Sequence, residues 1–289
     1  MTVELFCQLL LNGLSIGLIY VLVASGLILL LGVVRIFNFA HGEFYMLGAF
    51  ITFGCCEIFH LNFFFSIAIA IVLVTILSLF CYRFIFHYIR GDILLCTAAS
   101  IGLSMMLLRG ALLSFGTQER GLHPPFKGSV GIGQVNLPAE KVMAIILCLV
   151  VMFGLYWLLM RTKMGKAMRA VKLDNEVASL QGINTNRIYK IAFAAGCALA
   201  ALAGGIMAPV FSITPSMGHS LLLNCFMALV VGGMESMAGG VVGGLVVGLV
   251  LSFGMYFVGG LSEILLFAVI GVILVFKPGG LFGSPEHHE

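Results

Sequence analysis

The feature that most constrains this chain is a series of long apolar runs separated by short polar segments. A hydrocarbon core about 30 Å thick needs roughly 20 apolar residues of helix to cross it. The composition, 61% hydrophobic and 9% charged, agrees with a membrane as solvent. The sequence therefore predicts an all-α polytopic membrane protein with about 8–10 transmembrane or partly re-entrant helices, in a single domain over residues 1–289. The long runs are about 5–34, 63–86, 92–115, 142–160, 188–212, 238–258 and 260–276, and two shorter runs, 42–59 and 219–236, are spans or partial spans.

Positive charge is concentrated in one polar segment, residues 161–190, which holds 7 of the 15 Lys and Arg residues. Short loops rich in Lys and Arg stay on the cytoplasmic side of a membrane. We therefore expect this segment, Arg35 and the turn at 83–92 to lie inside. Counting runs from there places 116–140 and the N-terminus outside and the C-terminus inside, with about nine crossings.

Within this inner segment, residues 174–182 predict a short helix that is capped at both ends. Asp174 can accept hydrogen bonds from backbone N–H groups two or three residues on. Glu176, in the first turn, complements the positive end of the helix dipole. Gly182 is placed to end the helix in a left-handed conformation at low steric cost. Two interpretations remain open: an interfacial helix that joins two spans, or a helix that docks into a groove of a cytoplasmic partner.

A second polar group, formed by Asn38, His41, Gly42 and Glu43, follows the first span between apolar flanks. Residues three and four apart can share a helix face, and ionisable groups near membrane depth usually face a cavity or a partner. Transporters often use broken helices whose ends meet the substrate. The group is therefore a candidate for the substrate pathway. The alternative is an elbow at the inner face whose polar groups lie in water.

Small residues recur at every fourth position in two later runs. In lipid, helices associate by close packing, and small residues let their backbones approach. The two interpretations are a permanent packing contact and a smooth face along which two half-assemblies slide. The residues concerned are Gly196, Ala200 and Gly204 in one run, and Gly240, Gly244 and Gly248 in the other.

The sequence indicates a protein without catalytic chemistry of its own. It has no HExxH motif, and its only aspartates, Asp92 and Asp174, lie in inner loops, so a pair of intramembrane aspartates is excluded. The eight cysteines lie in apolar runs without a CxxC spacing, which is typical of small buried apolar residues. A GxxxxGK[ST] phosphate loop is also missing. We expect this chain to bind no metal, no cofactor and no nucleic acid.

Three segments resemble the branched-chain amino acid permeases of ABC importers, of the LivH type. Residues 35–44 read RIFNFAHGEF and are similar to that family's NFAHGE segment. Residues 176–184 read EVASLQGIN and are similar to the EAA-type cytoplasmic loop, with Val177 as a bulkier departure in its core. The stretch from Gly232 to Gly244 is similar to a glycine-rich GGxGS-type segment. The resemblance covers nearly the whole chain.

The resemblance implies an ABC importer permease bundle in a bacterial inner membrane. The implied partners are ATPase subunits that carry ATP and Mg²⁺, a second related permease subunit and an extracytoplasmic solute-binding protein. The implied substrate is a branched-chain or related small amino acid. A urea or short-amide permease of the same family and an ATP-independent channel remain as alternatives. The implied ATPase-docking residues are Asp174, Glu176, Ala178, Gly182, Ile183 and Asn184.

Overall fold

The computed structural model describes residues 3–126, 128–132, 135–234 and 236–282. Contacts group the chain into two compact units. The first unit is formed by the described parts of Met1–Ser25, His123–Leu149 and Leu223–Glu289. The second unit is formed by Gly26–Leu122 and Val150–Leu222. The organisation of residues 1–289 as a single domain stays a prediction.

Long apolar helices dominate both units. Within the described residues, six helical segments are long and apolar enough to cross a membrane. The predicted all-α polytopic class is confirmed, and the predicted runs agree with the observed helices to within a few residues. The six segments are Val3–Val34, Phe63–Ile89, Ile93–Phe115, Ala139–Arg161, Thr185–Met207 and Met237–Phe276.

The helices are labelled in chain order. Three of them continue into a wider π-helical turn, at Leu30–Val34, Gly54–Ile58 and Tyr82–Phe86. The labels are α1 (Val3–Leu29), α2 (His41–Phe53), α3 (Phe63–Cys81), α4 (His87–Ile89), α5 (Ile93–Phe115), α6 (Ala139–Arg161), α7 (Lys163–Leu173), α8 (Asn175–Leu180), α9 (Thr185–Met207), α10 (Met217–Gly232), α11 (Met237–Val258) and α12 (Ser262–Phe276).

The sequence predicts about nine crossings, which is more than the six long segments. The difference comes from the longest segment, which contains two helices, and from the two shorter runs. The 40-residue segment Met237–Phe276 contains α11 and α12, separated by a 3₁₀ turn at Gly259–Leu261. The shorter runs form α2, which has 13 residues, and α10, which has 16. Since about 20 residues are needed to cross a bilayer, these two helices are short for complete spans on their own.

In the second unit, α2 is a buried central helix that packs against α3, α5 and α9. Gly204 of α9 lies against the main chain of Tyr45, and Gly48 of α2 lies against the main chain of Ala201. Earlier along α9, Gly196 faces Gly26, and Ala200 is fully buried. Small side chains therefore let the backbones of α2 and α9 meet directly, which is the usual basis of helix association in lipid.

In the first unit, α1 packs against α11 through a similar set of glycines. Gly248 lies against the backbone of Gly17, and a Cβ placed on Gly244 would lie 2.8 Å from the backbone nitrogen of Val21. Gly240 is also buried. An apolar core forms beside this contact, where α10, α11 and α12 meet. Its buried members are Ala228, Val231, Val247, Leu266 and Ile270.

A β-hairpin in the predicted outer loop was not expected from the sequence. Strands β1 (Ser129–Ile132) and β2 (Val135–Pro138) pair antiparallel, with Val130 opposite Leu137. The alternation of apolar and small or polar residues through this stretch is the usual signal for a strand. The stretch is short and lies between long apolar helices, so its alternation was not recognised as a strand signal.

Candidate functional site

The polar segment 161–190 folds as two short helices followed by the start of α9. The first of them, α7, begins at Thr162, whose Oγ1 accepts a hydrogen bond of 3.1 Å from the N–H of Gly165. Met168 and Val171 are buried on its inner face. The helix α7 was not predicted from the sequence, although Met164, Met168 and Val171 have the spacing of one helix face.

The second short helix, α8, has the two caps that the sequence predicts. Asp174 Oδ1 accepts hydrogen bonds from the N–H groups of Glu176 at 2.8 Å and Val177 at 3.0 Å. Gly182 follows the helix with φ +81°, a left-handed conformation in which a side chain is strained. The prediction of a short capped helix is confirmed, whereas its docking role stays a prediction.

The C-terminal end of α8 is closed by a pair of backbone hydrogen bonds. The N–H of Gly182 donates to the carbonyl of Ser179 at 3.0 Å, and the N–H of Ile183 donates to the carbonyl of Ala178 at 3.1 Å. This pair is the Schellman arrangement, which satisfies carbonyls that a helix end otherwise leaves open. Ile183 therefore contributes its main chain to the turn.

Asn184 starts the next helix immediately afterwards. Its Oδ1 accepts a hydrogen bond of 3.0 Å from the N–H of Arg187, which makes it the N-cap of α9. From the sequence, Asn184 was assigned only through the family resemblance. An Asn before the first turn of a helix is itself an N-cap signal. The turn between α8 and α9 is thus held by side-chain and main-chain contacts together.

The outer face of this segment exposes apolar side chains. Leu173 is 83% exposed, Val177 48% and Leu180 86%, at spacings of four and three residues. Ala178, by contrast, is 3% exposed, so its side chain seats α8 on the second unit instead of facing outward. Leu173 ends α7, and the extended backbone of Asp174 separates it from Val177 and Leu180 on α8, so the three side chains form an exposed apolar patch on two helices. A partner or a membrane usually covers such a patch. The patch was not predicted from the sequence.

The polar group before and at the start of α2 is enclosed within the second unit. Asn38 and His41 have no exposed surface, and Glu43 is 1% exposed. Asn38 Oδ1 accepts a hydrogen bond of 3.1 Å from the N–H of Ala40, which shapes the turn into α2. Gly42 lies against the backbone of Gly218, so α2 begins in direct contact with the start of α10.

Two serines of α5 hold this turn in place. Ser104 Oγ donates a hydrogen bond of 3.1 Å to Glu43 Oε1. Ser100 Oγ accepts from the N–H of Phe39 at 3.1 Å. Its single proton is shared between the carbonyls of Phe37 at 3.1 Å and of Thr97, in the preceding turn of α5, at 2.8 Å. The contacts to Glu43, Phe39 and Phe37 each join residues more than 60 positions apart. Sequence reasoning could not identify either serine, because a lone serine in an apolar helix has no distinguishing pattern.

The interpretation of this group as an elbow with its polar side chains in water is wrong. Burial of Asn38, His41 and Glu43 removes them from solvent, because α2 is enclosed by neighbouring helices. Glu43 Oε2 and Asn38 Nδ2 are buried without a hydrogen-bond partner. Buried polar atoms of this kind are costly and call for an explanation. The role of the group in a substrate pathway stays a prediction.

Among the described residues, no group of three or more His, Cys, Asp and Glu side chains is arranged to hold a metal ion. Residues 13–17 read GLSIG and match the GxSxG pattern of serine nucleophiles, which was not noted among the sequence motifs. Ser15 lies within α1 and donates to the carbonyl of Leu11 at 2.9 Å, far from the strand-to-helix elbow that this pattern needs.

The family of this chain follows from its similarity to known proteins. Residues 9–276 match the family described as the permease component of branched-chain amino acid transport systems. The chain belongs to this family. No solved structure matches the chain.

Similar proteins of known name support the same assignment over nearly the full length. The high-affinity branched-chain amino acid transport system permease protein BraD of Pseudomonas aeruginosa is 30% identical over 297 residues, covering 97% of each chain. The permease protein LivH of Escherichia coli is 28% identical over 300 residues, covering 97% of this chain and 96% of that one. The ribose import permease protein RbsC of Haemophilus influenzae is 30% identical over 161 residues, 52% of this chain and 48% of its own.

As a branched-chain amino acid permease component, the chain is a multi-pass membrane protein of a transport system. The two segments that resemble the family most clearly lie in the second unit. One of them is the buried turn that leads into α2. The other is the capped helix α8 with its exposed apolar face.

Proposed function

We propose that this chain is the membrane-spanning permease subunit of an ATP-driven importer for branched-chain or related small amino acids. Its family and the names of BraD and LivH support the transport system and the substrate class. Substrate arrives from an extracytoplasmic solute-binding protein. A second, related permease subunit completes the bundle. ATP and Mg²⁺ are bound by partner ATPases.

The exposed apolar patch at the end of α7 and on α8 is the observation that carries the coupling part of this proposal. Leu173, Val177 and Leu180 expose apolar surface in a segment whose charge predicts that it faces the cytoplasm. An amphipathic helix that fits a groove is a common mode of protein recognition. The alternative, a helix that rests on the lipid surface, would bury the same face in the bilayer.

The caps of α8 suit a helix that transmits force. Closure of the ATPases on ATP pushes α8, and its rigid turn passes the displacement to α9. Because α9 packs backbone to backbone on α2 at Gly204 and Gly48, a displaced α9 moves α2, and α2 in turn moves the buried turn from which it starts. The bundle then opens outward, accepts substrate and resets after hydrolysis, with ATP binding favouring one of two states.

The proposed topology has the N-terminus outside and the C-terminus in the cytoplasm of a bacterial inner membrane. Arg35, Arg90 and Asn175 line one cavity within the second unit. The end of the first span, the 83–92 turn and the inner segment therefore lie at one side of that unit. This agrees with the positive charge that assigns all three to the inside.

Co-purification tests the coupling part. The complex is isolated from native membranes in mild detergent, and the co-eluting chains are identified by mass spectrometry. We expect an ABC-type ATPase and a second permease. A chain that elutes intact with neither would overturn the importer and favour a channel.

A matched pair of substitutions separates ATPase docking from lipid contact. Leu180→Glu places a charge on the exposed face, whereas Ser179→Glu adds the same charge one residue earlier, outside that apolar face. Burial of one leucine contributes about 1.5–3 kcal/mol, which is roughly a ten- to hundredfold change in affinity. We expect ATPase recovery to fall by that factor for Leu180→Glu only. If Leu180→Glu leaves ATPase recovery unchanged but makes the chain easier to extract from the membrane, the helix lies on lipid instead.

Substrate class is tested in proteoliposomes that contain the whole complex with its binding protein. Uptake of labelled leucine should require ATP and should be inhibited by isoleucine and valine, and not by urea or acetamide. Inhibition by the amides with no effect of the branched-chain amino acids would favour the amide alternative. Uptake that proceeds without ATP would overturn the ATP-driven mechanism.

A further inference from the structure

A cavity lined by two arginines lies at the proposed cytoplasmic end of the second unit, beside α8. Its volume is about 360 Å³, within the roughly 300–1,000 Å³ typical of small-molecule sites. It brings together the end of the first span, the α4–α5 turn, the first residue of α8 and the beginning of α9. The lining residues are Val34, Arg35, Arg90, Gly91, Ile93, Asn175 and Tyr189.

Arg90 lies in this cavity, and no acidic side chain is among the described residues that line it. Its guanidinium stacks over the ring of Tyr189, 5.2 Å from the ring centroid. Its Nη1 is buried and has no hydrogen-bond partner. The buried Tyr82 hydroxyl interacts with Arg90, but a neutral phenol cannot neutralise a guanidinium. A buried charged donor in this condition is costly unless an acceptor, preferably an anion, is present.

Arg35 brings a second positive charge to the same cavity at a conformational cost. It closes the π-helical turn Leu30–Val34 with φ 58° and ψ 39°, the left-handed region that residues with a side chain rarely occupy. Its N–H donates to the carbonyl of Leu30 in that turn. Strained residues of this kind persist where the surrounding structure or a ligand holds them. Arg35 and Arg90 both line this cavity, so two positively charged side chains are available to one anion there.

Additional observations favour an anion that belongs to a lipid. Ile93, which lines the cavity, is 58% exposed, and its neighbour Leu94 in the first turn of α5 is 78% exposed. Val34 and Ile93 give the cavity itself an apolar wall. If the phosphate of a lipid lies in the cavity, the acyl chains of that lipid therefore have an apolar surface beside them. Basic pockets between helices at the cytoplasmic side of a membrane are suited to such headgroups.

We propose that the Arg35–Arg90 cavity binds the phosphate of an anionic phospholipid. The guanidinium of Arg90, fixed by its stacking on Tyr189, donates from Nη1 to a phosphate oxygen, and Arg35 supplies the second charge. Asn175 and the Tyr189 hydroxyl are neutral donors at the edge of the site. Because Asn175 is the first residue of α8, the bound headgroup touches the start of that helix.

Lipid binding to the wild-type chain tests the proposal, and no transport assay is needed. The delipidated full-length chain in neutral detergent is titrated with phosphatidylglycerol, phosphatidylcholine or inorganic phosphate, and thermal unfolding and native mass spectrometry are recorded. We expect phosphatidylglycerol to raise the unfolding midpoint and to remain bound as a single adduct. Equal effects of phosphatidylcholine would overturn the proposal, and an equal effect of inorganic phosphate would overturn the lipid as its source.

Variants locate the site. We expect Arg90→Gln and Arg35→Gln each to weaken phosphatidylglycerol binding about tenfold or more, the effect of losing one charged hydrogen-bond donor. The control is Arg83→Gln, because Arg83 is an exposed arginine that precedes the same turn and does not line the cavity. Equal phosphatidylglycerol affinity in Arg35→Gln and Arg83→Gln would contradict the assignment. Arg35 is exposed, so this comparison stands even where Arg90→Gln does not fold.

Discussion

The contact between α2 and α9 yields the sharpest prediction about packing. Gly204 faces the main chain of Tyr45, and a Cβ placed on it would also lie 2.9 Å from the Tyr45 carbonyl carbon and 3.0 Å from the Ala49 nitrogen. These neighbours are backbone atoms of a buried helix, so they cannot turn aside as a flexible side chain would. Gly204→Ala must therefore push α9 away from α2.

The magnitude follows from a comparison with a glycine that has open space. A methyl group added to Gly102 in α5 would meet nothing within 4 Å, so Gly102→Ala is the matched control. Helix propensity alone raises the free energy of unfolding by about 0.5–1 kcal/mol in both variants, because alanine is a better helix former than glycine. Only Gly204→Ala suffers the overpacking, which typically costs about 1–3 kcal/mol. The difference between the two variants isolates that contribution.

The assay is reversible unfolding of the full-length chain in mixed micelles, with increasing dodecyl sulfate and helicity followed by circular dichroism. We expect the free energy of unfolding of Gly204→Ala to be lower than that of Gly102→Ala by about 1–3 kcal/mol. Equal stability of the two variants would refute the direct backbone contact between α2 and α9.

Three further predictions concern the inner segment and the buried turn. Asp174→Ala should weaken α8 by about 1 kcal/mol and reduce ATPase recovery. Asp174→Asn keeps the hydrogen-bond acceptor and should leave ATPase recovery unchanged. Equal ATPase recovery from the two variants would exclude a role of the cap in docking. Gly182→Arg should uncouple uptake or release the ATPase, since a side chain in the left-handed conformation costs roughly 1–2 kcal/mol and obstructs docking. Thr185→Arg should do much less, and wild-type uptake by Gly182→Arg would contradict this reasoning. The double variant His41→Ala and Glu43→Ala should lose uptake, and normal uptake by a stably assembled complex would remove the pathway role.

Local features of the chain were predictable because their causes are local. The α8 caps depend on Asp174 and Gly182, which lie within a few residues of the groups they satisfy. The spans follow from run length alone, because a bilayer imposes a minimum of apolar residues. The helix α7 and the β-hairpin were equally local, and their periodicities were present in the sequence.

The polar turn before α2 was assigned to water as one alternative because polar residues usually indicate solvent. Its true environment depends on Ser100 and Ser104, which lie more than 60 residues away in α5. A hydrogen bond over that separation leaves no pattern in the sequence around either partner. The burial of Asn38, His41 and Glu43 therefore had to be observed.

The sequence by itself determined the membrane class, the positions of the spans, the capped helix and the family. Each of these depends on composition, on spacing along one helix or on a short motif. The tertiary structure alone decided that Gly204 meets Tyr45, that Glu43 meets Ser104 and that Arg35 and Arg90 share a cavity. A face of small residues predicts close packing without naming its partner, because in lipid every apolar helix is an acceptable neighbour and only the fit of particular backbones selects one.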